Sequence, residues 1–319
     1  MSRIGVLRGG VGEEHDVSLK TGLAVLRKLE NTHAAVDVFI DRRGVWHVRG
    51  VPMPPQRALA GIDLAFNALH GAYGEDGGVQ RELERIGVRY TGPEPMPASL
   101  AMNKVVSKQL MAAQGVLVPR HVLVGVTPNL ERRALEIWRS FPQPSVVKPL
   151  ASGSSVGVTL VKTFEQFLDA LKNAFQYAKD VVVEEYVRGR EATVGVIDRF
   201  RGQQVYVLPP VEIILPVTSE IFDWQAKYGG NAVIRVPSGF TRQEVLALES
   251  AARAVHATLG LRHYSRSDFI MTPRGPYFLE VNALPGLTET SLVPRSLEAV
   301  GSSMDELVAH VISLALEKK

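Results

Sequence analysis

The sequence of 319 residues contains no cysteine. That excludes disulfides, thiolate zinc sites and a cysteine nucleophile. No run approaches ~18 consecutive apolar residues, so no segment reads as a transmembrane helix. The opening MSRIGVLRGGVGEEHD turns acidic where a secretory leader would turn apolar. Charge of one sign is also scarce, with a formal net charge of only +3. Residues 101–200 carry the excess, 13 basic against 9 acidic side chains, and it is not gathered into runs. A nucleic-acid partner is therefore not expected, whereas a local anion such as a nucleotide phosphate fits. Internal repeats and low-complexity tracts are absent. What remains is ordinary globular composition, 45% hydrophobic and 22% charged, long enough for two or three domains. A soluble, cytoplasmic protein with no membrane partner is the expectation.

The first ~98 residues alternate strand and helix patterns. Arg3–Leu7 is a short apolar strand ending at Gly9-Gly10. Leu19, Leu23, Leu26 and Leu29 form a helical stripe, and Val36, Val38 and Ile40 alternate as a strand. Ile62–Leu69 is a buried strand running into HGAYGEDGG, followed by a helix over Gln80–Ile86 and a strand at Val88–Tyr90. This alternation predicts a parallel sheet with helices on its faces, with ligands beyond the strand ends near Gly9–Asp16 and His70–Gly78. The middle region predicts one helix over Ala98–Gln114, with Lys104 inside it. Strands at Val122–Val124, Ser145–Lys148, Val158–Val161 and Val181–Glu184 follow, with helices over Leu130–Ser140 and from Thr163 to Tyr177. Farther on, strands are expected at Glu191–Ile197, Val205–Leu208, Asp268–Met271 and Tyr277–Val281. Thr241 with Glu244, and Ser303 with Glu306, read as capping boxes opening helices. Residues 217–233 lose periodicity and read as a long functional loop.

Three constellations carry chemistry. In Lys148-Pro-Leu-Ala-Ser-Gly-Ser-Ser-Val-Gly157 a lysine precedes small residues, including Ser154 and Ser155, whose bare N–H groups suit phosphate oxygens. A flexible hairpin turn is the plainer alternative. Asp268, Glu280 and Asn282 form a hard-oxygen set suited to Mg²⁺, with Glu280 and Asn282 on one sheet face. The alternative is a pair of surface carboxylates. Glu184, Glu185 and Glu191 follow an apolar strand, suited either to nucleotide hydroxyls or simply to solvent. Arg266, two residues before Asp268, shares its face and is placed to hold a developing anion.

Taken together, these motifs resemble the ATP-grasp superfamily. The chain is similar to the D-alanine–D-alanine ligase family along nearly its whole length. The matching segments are GGVGEEHDVSL, ALHGAYGEDGGVQ, MNKVVSK, VVKPLASGSSVGV, VVEEYVRGREATVG, FDWQAKY, SRSDF and EVNALPGLTETSLVP. The resemblance implies an α/β, three-domain ATP-grasp architecture. An N-terminal doubly wound parallel-sheet domain spans 1–98, a central nucleotide-clamping unit 99–183, and a C-terminal unit with the metal site 184–319. It implies that ATP phosphorylates one D-alanine and that the amine of a second attacks the acyl phosphate, giving D-alanyl-D-alanine for peptidoglycan precursors. Its cofactors would be ATP and Mg²⁺, two ions with Mn²⁺ as a substitute, and its assembly a homodimer.

By matching position, Lys104, Lys148, Ser154 and Ser155 bind the phosphates, Ser154 also serving catalysis. Glu184, Glu185, Val187 and Glu191 line the adenine and ribose end, and Asp268, Glu280 and Asn282 bind the metals. Arg266 and the backbone near Gly286 stabilise the acyl phosphate and tetrahedral intermediate. His70 lies near the first substrate, while Ser291 and Leu292 hold the second substrate's carboxylate. Lys227 and Tyr228 sit on the closing loop, and Tyr228 favours an amine over a hydroxyl as second substrate.

One departure from the family stands out: Asp16 occupies the place of a glutamate that faces the first substrate's ammonium. Its reach is shorter by ~1.5 Å, one C–C bond, so Asp16→Glu is expected to lower KM. Glu14 is the alternative partner. Competing readings are a ligase for other amino or hydroxy acids and a nucleotide-binding regulator without turnover.

Overall fold

The computed structural model describes residues 2–150, 157–216, 220–221 and 232–317. Three sheets organise it. The first contains β1 (Arg3–Gly9), β2 (Ala34–Ile40), β3 (Trp46–Val48), β4 (Val51–Met53), β5 (Leu64–Asn67) and β6 (Arg89–Tyr90), in the order β4-β3-β2-β1-β5-β6. The expected parallel core is β2-β1-β5-β6. The β3–β4 hairpin adds two antiparallel strands that the sequence reading did not include.

Side-chain alternation along β1 sends Ile4 and Val6 to one face and Leu7 to the other. α1 (His15–Leu29) covers the first face; α2 (Pro55–Ala58) and α3 (Gly78–Ile86) cover the second. The first face is completed from far along the chain, by Leu307, Val308, Val311 and Ile312 of the last helix, α10 (Met304–Leu316).

Helix α1 forms as expected but turns a different side to the sheet. Leu23 is exposed, whereas Ser18, Thr21, Gly22, Val25 and Leu29 are buried. Close approach explains this. A Cβ on Gly22 would stand 2.5 Å from Arg8 Cβ, so only glycine lets the helix lie against β1 here.

The expected helix over 98–114 is two helices, α4 (Pro95–Met102) and α5 (Lys104–Ala113). Asn103 separates them in an extended conformation and accepts hydrogen bonds from the N–H groups of Val105 and Val106. Lys104 therefore opens a helix rather than lying within one.

The second sheet is antiparallel, β7 (His121–Gly125), β10 (Asp180–Glu185), β8 (Ser145–Pro149) and β9 (Thr159–Val161) in that order. α6 (Leu130–Ser140) and α7 (Phe164–Ala174) pack on one face against Val147, Val181 and Val183. The third sheet holds β11 (Arg190–Asp198), β12 (Val205–Val207), β13 (Val211–Ile214), β14 (Val233–Arg235), β15 (Tyr264–Thr272) and β16 (Gly275–Asn282). α8 (Arg242–Thr258) covers one of its faces, opened by the Thr241–Glu244 capping box. α9 (Leu292–Glu298) follows β16. Among the described residues no helix is long and apolar enough to cross a membrane.

Candidate active site

Strand periodicity builds the site. Along β15, Ser265, Ser267, Phe269 and Met271 are buried, while Arg266, Asp268 and Ile270 face a cleft. Asp268 is paired in register with Glu280 on β16, and Arg266 with Asn282. Across the cleft, β8 contributes Val146 and Lys148, and β10 contributes Glu184 and Glu185. The cleft holds about 480 Å³, an ordinary size for a small-molecule site. Lys104, Val187, Glu191 and Leu292 also line it.

The carboxylate side is closely ordered. Arg266 Nε and Nη2 donate to the two Asp268 oxygens at 2.9 and 2.8 Å. Thr193 Oγ1 donates to Asp268 Oδ1 at 2.5 Å, and Asn282 Nδ2 to Oδ2 at 3.3 Å. Burial opposes the charge on Arg266, but Asp268 outweighs it and holds the guanidinium pKa above the ordinary value. Lys104 Nζ lies 3.5 Å from Glu280. Among the described residues, no group of three His, Cys, Asp or Glu side chains converges as a metal cluster. The set of two carboxylates and an amide still suits magnesium, which takes few protein oxygens and completes its shell with phosphates and water.

Glu184 lines the cleft and also has partners that the sequence reading did not include. It is fully buried between two ammoniums, Lys108 Nζ and Lys148 Nζ, each 2.7 Å from one of its oxygens. Burial alone would raise its pKa; the two lysines reverse that and keep it below the ordinary value. Its carboxylate thus holds two lysines while still lining the cleft. Glu185 accepts from the Arg120 N–H at 2.9 Å and remains on the cleft wall.

A second cluster lies where the first sheet meets the segment after β16. Thr21 Oγ1 and His70 Nε2 are 2.8 Å apart, both buried. Glu75 accepts from the N–H groups of Gly71 and Leu284, both at 2.9 Å. Burial raises the Glu75 pKa, with the charge of Glu14 adding to it; burial also lowers that of His70. Arg266 acts electrostatically on both groups, joining this cluster to the cleft. A Cβ on Gly286 would lie 3.1 Å from Ser291 Oγ and 4.0 Å from Thr21 Oγ1, so Gly286 and Ser291 belong to the same neighbourhood.

Asp16 does not belong to it. Its carboxylate is 75% exposed on the outer side of α1 and pairs with Arg42 at 3.2 Å. Glu14 occupies the inner position: its Oε2 would be 2.7 Å from a Cβ on Gly71, and its charge is felt by His70 and Glu75. Helix geometry explains the correction. Residues two apart differ by ~200° around the axis, while residues four apart share a face. Glu14 therefore lies on the side of Ser18, which bonds the Gly9 N–H and the Ala68 carbonyl, and Asp16 opposite. The short-reach argument for Asp16 fails with it. Ser154, Ser155, Lys227 and Tyr228, with most of 217–233, lie outside the described residues. Sequence reasoning missed Thr21, Glu75, Lys108 and Thr193. Lys108 had one available signal, its i, i+4 spacing from Lys104.

An antiparallel sheet supplying Lys148, facing another that supplies hard oxygens, with Lys104 at the start of α5, defines an ATP-grasp protein. The family model described as D-ala D-ala ligase C-terminus matches residues 110–313, and that of the N-terminus matches 49–93. The chain belongs to the D-ala D-ala ligase family. A D-alanine--D-alanine ligase of Geobacter sulfurreducens is 37% identical over 98% of this chain and 93% of its own length. One from Syntrophotalea carbinolica is 36% identical over 99% and 97%. Among solved structures, the VanG D-Ala:D-Ser ligase of Enterococcus faecalis matches with a TM-score of 0.85 at 28% identity, covering 98% of this chain and 99% of that one. D-alanyl-alanine synthetase A of Vibrio cholerae matches at 0.84 and 27%, covering 99% and 98%.

Proposed function

We propose that this chain joins two molecules of D-alanine at the expense of ATP, through a D-alanyl phosphate, to supply the dipeptide of peptidoglycan precursors. The observation that carries this reading is the cleft itself, in which Lys148 and Lys104 are placed with Arg266, Asp268 and Glu280. A carboxylate resists amines until one oxygen becomes a leaving group, and phosphorylation supplies one. Lys104 and Lys148 bind the transferring phosphates as point charges, joined by Ser154 and Ser155. Asp268, Glu280 and Asn282 would hold magnesium, which neutralises charge on phosphoryl oxygens when bound. Two ions, with Mn²⁺ as a substitute, are the finer reading.

Arg266 and the Gly286 backbone receive the anionic oxygen that develops at the acyl carbon. Glu14, rather than Asp16, takes the first ammonium beside His70, and Ser291 with Leu292 takes the second carboxylate. Val187, Glu185 and Glu191 form the base and ribose end. Lys227 and Tyr228 serve on a segment, 217–233, that closes over the site and excludes water from the acyl phosphate. The three sheets support a division near residues 98 and 183, with α10 returned to the first unit. A cytoplasmic homodimer, measurable by light scattering, completes the reading.

The test is phosphate release from ATP and Mg²⁺ with D-alanine, D-serine, D-lactate or L-alanine, with products identified by mass. D-alanyl-D-alanine is the expected product. Likeness to a D-Ala:D-Ser ligase makes D-alanyl-D-serine the second reading, and its predominance would overturn the first.

A further inference from the structure

Lys108 is buried completely, an uncommon place for an ammonium, and touches no solvent in the cleft. It extends from α5 one turn beyond Lys104. Its Nζ donates to the Leu279 carbonyl at 2.5 Å and pairs with Glu184 Oε1 at 2.7 Å. Leu279 immediately precedes Glu280 on β16, and the other Glu184 oxygen holds Lys148. One ammonium thus links the strand bearing two hard-oxygen ligands to the lysine on the opposite wall. We propose that Lys108 is a positioning residue for phosphoryl transfer, setting Lys148 through Glu184 and β16 through Leu279.

Packing alone does not require this charge. Replacing a buried ion pair as a whole by apolar side chains of similar volume is often neutral or stabilising, so filling the space does not by itself call for an ammonium. Burial pushes the Lys108 pKa down to about 8 against the pull of Glu184, so the fold holds the charge at a cost. Without Lys108, Glu184 faces one ammonium instead of two. Glu184 then loses the contact that fixes its position against Lys148, and the Leu279 carbonyl loses its donor. The two sides of the phosphate site lose their common anchor.

This inference rests on the nucleotide reading of the cleft. Its test is a double-mutant cycle of Lys108→Met and Lys148→Met. Mg·ATP binding is measured by calorimetry, and steady-state constants by phosphate release. Lys108→Met is expected to weaken ATP binding at least about tenfold, the loss typical of one hydrogen bond to a charged group. It should lower kcat while leaving the KM for D-alanine within about twofold. In the Lys148→Met background the same change should cost markedly less than in the parent, because the part that passes through Glu184 is already lost and only the part through Leu279 and β16 remains. A general loosening of the fold would instead give additive losses and raise the KM for D-alanine. Should the methionine variant fail to fold, Lys108→Gln, which keeps a donor, enters the same cycle. Unchanged ATP affinity or additive losses overturn the inference while leaving the nucleotide reading intact. Absence of ATP binding to the unaltered chain overturns both.

Discussion

Replacing Glu14 by glutamine, with Asp16→Asn as its partner experiment, separates two carboxylates only two residues apart. Glu14 faces the His70 and Glu75 cluster, whereas Asp16 is 75% exposed and pairs with a half-exposed Arg42. A hydrogen bond between a partly buried carboxylate and an ammonium contributes about 1.5–3 kcal/mol. At 1.4 kcal/mol per tenfold, losing the charge raises the first D-alanine KM roughly 10–100-fold. The ATP KM should stay near its original value, since Glu14 does not line the nucleotide cleft. An exposed pair such as Asp16–Arg42 contributes less than about 1 kcal/mol to stability and nothing to binding. Asp16→Asn and Asp16→Glu should both keep KM within about twofold. The assay is initial-rate phosphate release with D-alanine varied at saturating ATP, fitted for two substrate sites. A tenfold rise in KM for Asp16→Asn, with Glu14→Gln unaffected, would refute the orientation argument.

Further outcomes follow from packing and charge. Gly71 has φ +65°, and a side chain there meets Glu14. Gly71→Ala should therefore cost more than about 1 kcal/mol in denaturant melts and raise the first D-alanine KM. Thr241→Ala removes a complete capping box and should lower stability by about 1 kcal/mol without changing kcat. Burial pushes the His263 pKa down to about 3. Above pH ~6.5 the ring is neutral folded or unfolded; below it only the unfolded chain takes the proton. Its stability contribution is then lost, at up to about 1.4 kcal/mol per pH unit, as pH falls from ~6.5 toward 3. Urea melts of His263→Asn should have a shallower acid limb than those of the parent, and equal slopes would count against this account.

Much of the architecture was legible because periodicity is a local property. The strands flanking the site and the cap that opens α8 could both be read from residue spacing. The parallel order followed from strand–helix alternation. What escaped depended on distant partners. The leucines of α1 suggested one face, but the helix buries the face whose small and polar residues, Ser18, Thr21 and Gly22, meet β1 and His70. Hydrophobicity alone points away from such a face. The break at Asn103 escaped because one helix was read straight through 98–114, whereas its side chain caps α5. The β3–β4 hairpin was hidden by its three-residue strands. Glu184 read as a strand-end carboxylate suited either to a nucleotide or to solvent. Its real environment, two lysines from separate elements, arises only when α5 and β8 close around β10.

The packing of α10 on the first sheet bears on how the chain is made. Ile4 and Val6 are covered by residues some 300 positions later, and Lys28 pairs with Asp305 at 2.8 Å. A ribosome must therefore add some 300 residues after β1 before that strand can be sealed on that side. Until then the nascent β1–α1 unit carries an open apolar face, a natural binding place for chaperones. The final closure spans a very large loop, which makes it slow relative to local helix and hairpin formation. Synthesis thus leaves the first part of the molecule waiting on the last, and the ligand cluster at the strand ends is complete only when both have arrived.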